Sequence, residues 1–487
     1  MSVRPALLYS FASRYASLVI QFAATVVIAR LLSPSEIGIY SVGAAVVMIA
    51  NTLRDFGTST YVIQEKELTD DRLRTAFTIT VGLAWIIASV LWLLSSPLSA
   101  FYAEPGVAEV LRVIAFNFVL IPFGSITLAM LRRDMNFRAL MYITLAGTLA
   151  HSATAVALAA LGMGFISLAW AAVCGTAATV VGAALANRQW IFARFSLIEQ
   201  KRVLGFGMRS SLSSMASEAG HASPEMVLGR TLGMEATGLF SRAMGYVQLF
   251  ERLLQDVLRG VMLPYFSDEA RAGTNLRKKL NVAIENIGAI SWFIIAMTAV
   301  LAKPMILLLY GSQWTDAVPI AQILCVAMAI RCLSPTLASA LVANGHISLV
   351  MRATLGSTLA KFVLLIALSP YGLGPAAAGF TLAEGIGFIL ILRATRIADV
   401  FSFSDFFRIC YRTLPLTLMG VVPALTATLL LPSPEGAGSL AVFVIAIGGA
   451  SSAVWLTTIW LADRPPKQEM LRAIVFLRNR IAARTAS

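Results

Sequence analysis

Val27-Ile-Ala-Arg30-Leu-Leu32-Ser-Pro-Ser-Glu-Ile-Gly38-Ile-Tyr40-Ser41 recurs as Val227-Leu-Gly-Arg230-Thr-Leu232-Gly-Met-Glu-Ala-Thr-Gly238-Leu-Phe240-Ser241. The offset is 200 residues without a gap, and each copy joins one long apolar segment to the next. Weaker echoes follow. Ser96-Pro97 ahead of Phe101-Tyr102 matches Lys303-Pro304 ahead of Leu309-Tyr310, and Gly162-Met-Gly164 matches Gly372-Leu-Gly374. The offset has then grown to 210, which places an insertion in the basic loop Ser267–Lys279. Repeated multi-helix units are a common construction of secondary transporters.

Charged residues are only 13% of the 487, about half the share in soluble domains, and the mean hydropathy is +0.79. Apolar runs near the length that crosses a bilayer, about 20 residues, follow one another from Leu7–Leu32 to Leu440–Leu461. About fourteen spans are expected, all α-helical, including a seventh at Leu204–Leu232 and an eighth at Ala236–Phe266. The domain plan is an N-lobe of six spans over 1–193 and a C-lobe of six over 194–400. Two C-terminal helices over 401–463 and a basic amphipathic tail over 464–487 complete it. Six spans per unit return the chain to one side, so the units run parallel, related by a pseudo-twofold along the membrane normal. The first apolar segment is too long for a cleaved signal peptide.

The net charge of +13 invites a nucleic-acid reading, which the placement of the cations opposes. Lys66, Arg72, Arg132, Arg133, Arg194, Lys278, Arg393 and Arg408 sit in alternate loops or beside them, while Ser95–Gly106 and Pro432–Ser439 hold no Lys or Arg. This is the positive-inside pattern, and it puts both termini in the cytoplasm. The tail reads as an interfacial helix held by anionic membrane lipids. No GxxxxGK[ST] loop occurs, so ATP-driven transport by this chain alone is not expected. Cys174, Cys325, Cys332 and Cys410 show neither a CxxC pair nor a His at metal spacing; no metal and no cofactor is implied.

Ionisable groups inside spans are costly and rarely idle. The first span carries Arg14, Ser17, Gln21 and Thr25, spaced by three or four and therefore on one face. Its counterpart 200 residues on carries Ser214, Ser217, His221 and Glu225, and adds Arg209, Glu218 and a weakening Pro224. Both stripes are expected to face a central cavity. Arg54–Asp55 and Arg252–Asp256 read equally as cavity groups or as neutralised helix-to-helix pairs. Glu285, Arg331, Lys361, Glu384 and His151 are deeper singletons. Arg14, Arg209 and Lys361 are cavity candidates because no acid sits one turn away. Arg30 and Arg230 can snorkel to the interface, and His151 reads as a packing residue. Arg132-Arg133-Asp-Met-Asn-Phe137-Arg138 reads as a topology signal ahead of a lipid-phosphate site. Cations outnumber acids in the innermost set, which suits an anionic substrate, since Arg matches phosphate oxygens in bidentate fashion. Glu225, then Glu218 and Asp256, are the acids nearest the stripe and the candidates for ion coupling, because a buried carboxyl holds its proton more readily.

The residues Ala29-Arg30-Leu-Leu32-Ser-Pro34 with Gly38, Arg54-Asp55-Phe-Gly57, Leu131-Arg132-Arg133-Asp-Met-Asn-Phe137-Arg138 and Leu309-Tyr310-Gly311-Ser-Gln-Trp314 together resemble the bacterial polysaccharide (Wzx-type) flippases of the multidrug/oligosaccharidyl-lipid/polysaccharide exporter superfamily. The resemblance covers nearly the whole chain. It implies a two-lobed inner-membrane transporter that moves an undecaprenyl-pyrophosphate-linked glycan outward by ion-coupled alternating access, with polysaccharide polymerase and chain-length proteins as partners. The family has no sharp signature of functional residues, so the site residues rest on the charge reading. A lipid II flippase is the runner-up. A drug/cation antiporter of the same superfamily would call for an acidic cavity. A membrane polysaccharide polymerase or ligase would call for a large outer loop with Arg and His.

Overall fold

The computed structural model describes residues 3–55, 58–187, 195–198, 200–250, 266, 276–431 and 436–462. They form helices and short turns, with no strand among the described residues. Contacts group the chain into two compact units, 1–241 and 242–487.

The first unit begins with α1 (Val3–Leu31), α2 (Pro34–Asp55), α3 (Thr58–Gln64) and α4 (Asp70–Tyr102). It continues with α5 (Pro105–Leu120), α6 (Pro122–Arg133), α7 (Phe137–Ala160), α8 (Ile166–Ala186) and α9 (Gln200–Thr231). A further helix, α10, runs over 233–250 and carries the chain across the boundary between the units. The second unit holds α11 (Leu276–Val300), α12 (Ala302–Tyr310), α13 (Ala317–Arg331) and α14 (Ser334–Ala343), then α15 (Ile347–Leu368), α16 (Leu373–Ile397), α17 (Phe403–Leu430) and α18 (Ala437–Leu461).

Eleven of these segments are long and apolar enough to cross a membrane, or twelve when the bent pair α5–α6 counts as one span. The expected fourteen is therefore not reached among the described residues. The seventh is α9, which carries Arg209, Glu218, Glu225 and Arg230 and falls short of that apolarity. The eighth is expected to run to Phe266, and most of that stretch past 250 lies outside the described residues.

Sequence accounts for the breaks. Pro122 opens α6 and brings no N–H to the turn, and α5 and α6 meet there at 51°. Ser33 and Glu36 cap α2 reciprocally: Ser33 N–H donates to Glu36 Oε2 at 2.8 Å, and Glu36 N–H donates to Ser33 Oγ at 3.3 Å. Left-handed residues end the helices at matching places. Met135 and Gly345, and Gly162 and Gly372, both stand 210 apart; Ala103 and Gly311 stand 208 apart. Most of the insertion therefore lies between 241 and 311, an interval that contains the predicted loop. Packing repeats as well: α7 lies along α8 and α5 along α8 in the first unit, as α15 lies along α16 and α13 along α16 in the second.

The duplicated motif explains its own glycines. Within residues 1–241 its two copies lie against each other about a local twofold. A Cβ on Gly38 would stand 1.8 Å from the Met234 carbonyl oxygen, and a Cβ on Gly238 would stand 1.8 Å from that of Pro34. One turn on, Ser41 and Ser241 meet Oγ to Oγ at 3.0 Å. Close backbone approach through small residues is how helices associate where lipid removes the hydrophobic drive.

Outside the repeat, α17 packs against α11 and α18. Gly420 makes room for Trp455, whose ring stacks on Phe293 at 4.6 Å and 8°. Arg277 of α11 ties to Asp405 of α17 at 2.7 Å, and Asp405 also completes a capping box with Ser402.

Candidate functional site

The polar stripe of α1 divides in the structure. Ser17 is buried and accepts from Thr148 Oγ1 of α7 at 3.4 Å, while Arg14 and Gln21 are exposed. On α9, His221 is exposed and Glu218 and Glu225 are half-buried, with Pro224 accommodated inside a continuous helix. The two stripes pack beside different neighbours: α1 runs along α7, and α9 along α2, α3 and α4. Arg54 is half-buried near the end of α2. Arg209 lies on α9, but its side chain is outside what the structure describes. Arg252 and Asp256 lie outside the described residues.

Three groups that sequence left as singletons come together in the second unit. Lys361 Nζ of α15 stands 3.0 Å from Glu384 Oε1 of α16, and Arg331 Nη1 of α13 stands 3.5 Å from the same oxygen. Lys361 and Glu384 are 8% and 5% exposed. Lys361 also lies 5.4 Å from the Phe380 ring. The premise that Lys361 has no acid is thus corrected: the acid comes from another helix, which a search one turn along the same helix does not reach. Two cations share one carboxylate, and a low-dielectric surround strengthens those interactions.

Other arginines are taken up by the scaffold. Arg133 Nη1 donates to the carbonyls of Val62 and Glu65 at 2.8 and 2.6 Å, which closes the C-terminal end of α3. Asn136 caps α7 by accepting from Ala139 N–H at 3.2 Å. The Arg132–Arg138 motif therefore has a structural use that neither of its sequence readings named. Arg242 lies 6.0 and 5.8 Å from the rings of Tyr310 and Trp314, which gives the Tyr310-Gly311-Ser-Gln-Trp314 segment a cation–π role. Arg230 lies 5.4 Å from the Phe101 ring. None of the four cysteines forms a disulfide.

The fold is that of multi-spanning helical exporters. A solved structure of the lipid II flippase MurJ, inward closed, superposes with a TM-score of 0.76 at 14% identity, covering 93% of this chain and 99% of that one. An inward-facing MATE-family multidrug transporter of the MOP superfamily gives 0.64 at 14% identity, covering 79% and 95%. Within that class, the polysaccharide biosynthesis protein family matches residues 27–319, and the chain belongs to it. The lipopolysaccharide biosynthesis protein WzxC of Escherichia coli K12 is 25% identical over 388 residues, covering 77% of this chain and 75% of the relative. The succinoglycan biosynthesis transport protein ExoT of Rhizobium meliloti 1021 is 28% identical over 331 residues, covering 66% and 65%.

Proposed function

We propose that this protein is a flippase carrying an undecaprenyl-pyrophosphate-linked oligosaccharide across the bacterial inner membrane for exopolysaccharide or lipopolysaccharide synthesis. The observation that carries this reading is the family match over 27–319, with relatives named for polysaccharide biosynthesis and transport. The charge reading supports it. A pyrophosphate entering a dry path loses hydration and needs cations in return. Arg14, Gln21, Arg54, Arg209, His221, Arg252 and Lys361 are the residues assigned to that path, and Lys361 acts there with Arg331 and Glu384. Both termini are cytoplasmic in this reading, and a polysaccharide polymerase and chain-length proteins take up the product.

The test is a deletion strain. Lipid-linked repeat units accumulate inside the cell and surface polysaccharide disappears, while the cell survives. Loss of viability would instead favour the lipid II reading, which the MurJ-like fold keeps in view. Coupling is assigned to Glu225 first, then Glu218 and Asp256. In proteoliposomes under an imposed pH gradient, Glu225→Gln loses gradient-driven flux; unchanged flux removes Glu225 from the coupling site.

A further inference from the structure

A second cationic feature lies apart from the transport path assigned above. Where the first turns of α11 and α17 run side by side, they enclose a cavity of about 420 Å³, within the range of small-ligand sites, roughly 300–1,000 Å³. Arg277, Lys278, Arg408 and Arg412 line it, with Glu285 and Asp405 as its acids. The acids are buried at 6% and 5% exposure. The arginines lean outward: Arg277, Arg412 and Arg408 are 42%, 46% and 63% exposed. Arg277 is held by Asp405 at 2.7 Å, and Arg412 by Glu285 Oε2 at 3.4 Å. Among the described residues the lining carries four cations against two acids, a formal surplus of about two positive charges.

Two further observations narrow the occupant. Glu285 Oε1 and Asn281 Oδ1 are buried acceptors in the lining with no hydrogen-bond partner among the described residues. Buried acceptors call for donors. An ammonium donor would meet four cations, so a neutral hydroxyl suits the place better. Beside the cavity, Phe407, Tyr411, Leu414, Leu418 and Val422 form an exposed apolar stripe along α17, at 44–80% exposure and helical spacing. A stripe of that kind lies against acyl chains. The mouth is on the side that the positive-inside pattern makes cytoplasmic, where basic pockets between helices take lipid head groups.

We infer that the cavity between α11 and α17 binds an anionic phospholipid with a hydroxylated head group, of the phosphatidylglycerol type. The phosphate sits among Lys278, Arg408 and Arg412, the glycerol hydroxyls donate toward Asn281 and Glu285, and the acyl chains follow the stripe on α17. The inference rests on the membrane-spanning fold and not on the transported substrate, so it is tested without transport.

The experiment is lipid retention by the purified full chain, read by native mass spectrometry from micelles with defined added lipids. Phosphatidylglycerol is retained in preference to phosphatidylmethanol, which has the same charge and no head-group donor. Lys278→Gln/Arg408→Gln changes exposed rim residues and lowers retention roughly thirtyfold, as two cations lost near an anionic lipid should. Arg393→Gln/Arg396→Gln, an equal charge change on the same side and outside the cavity, leaves retention as it was. Equal losses in both double variants would overturn the site. Equal retention of the two lipids would overturn the head-group assignment. Displacement by millimolar inorganic pyrophosphate would make it a soluble-phosphate site, and displacement by equimolar undecaprenyl pyrophosphate a substrate site; either result overturns the phospholipid.

Discussion

The helix pairs α7–α8 and α15–α16 are two editions of one design. Each pair is joined through a left-handed glycine, Gly162 in the first and Gly372 in the second. Each packs closely through small residues. A Cβ on Gly147 would stand 2.2 Å from Thr179 Oγ1, and one on Gly379 would stand 3.0 Å from the Leu364 carbonyl oxygen. The interiors differ. At an offset of 210, Lys361 corresponds to His151 and Glu384 to Cys174. The first pair is built without the ion pair that the second buries. Burying two charges costs several kcal/mol per ion before their attraction returns any of it. A frame that assembles without that cost in one copy does not need it in the other. The comparison therefore supports the proposal that the Arg331–Lys361–Glu384 cluster serves what the molecule does rather than how it stands.

The largest effect belongs to the shared acid. Glu384→Ala takes from Lys361 and Arg331 the carboxylate that they share in a buried place. Removing one member of a buried pair costs on the order of 3–5 kcal/mol. Membrane abundance should collapse, and the purified variant should unfold well below the parent on heating in detergent. The matching change in the other copy, Cys174→Ala, should be close to neutral. Similar losses in the two variants would erase the contrast between the copies.

The repeat, the all-helical class and most spans are legible in the sequence because apolar run length and Gly/Pro punctuation are local signals. What was not legible is long-range. Glu384 reaches Lys361 and Arg331 across three helices, and a rule built on i, i+3 and i, i+4 neighbours does not see it. Arg133 grips carbonyls some seventy residues away, so its motif resembled a topology signal. In sequence the polar stripe of α1 forms one face, yet its edge, Ser17, is spent on α7. A hydroxyl serves a helix contact and a cavity equally well, and sequence does not say which.

The duplicated motif is the opposite case, a place where both copies must stay alike. Gly38 and Gly238 each admit the other copy's carbonyl at a distance no Cβ tolerates. Gly38→Ala and Gly238→Ala should each cost about 1–3 kcal/mol, the usual range for overpacking, and by similar amounts, because the contact is reciprocal. Gly245→Ala is the control. It lies on α10 with nothing within 4 Å of its added Cβ, and alanine favours a helix over glycine by up to about 1 kcal/mol. Thermal unfolding of the three variants checks this. A neutral Gly38→Ala would mean that the two copies are free to separate here at no cost.

The smallest effect on stability carries the most information. Arg331→Leu/Lys361→His/Glu384→Cys gives the second helix pair the uncharged interior of the first. Replacing a buried ionic cluster by groups of similar volume is often neutral or stabilising, so abundance and unfolding temperature should stay near those of the parent, within about 1 kcal/mol. Export of the lipid-linked glycan should nevertheless fail. The single Glu384→Ala variant loses export because the protein is lost. The triple variant loses it with the protein present, and that separation ties the charges to transport. Polysaccharide output in a deletion strain carrying each variant, set against membrane abundance, reads the two apart. If the triple variant is stable and exports at the parent level, the cluster is a packing alternative to His151 and Cys174, and the cationic path must be sought among Arg14, Arg54, Arg209, His221 and Arg252.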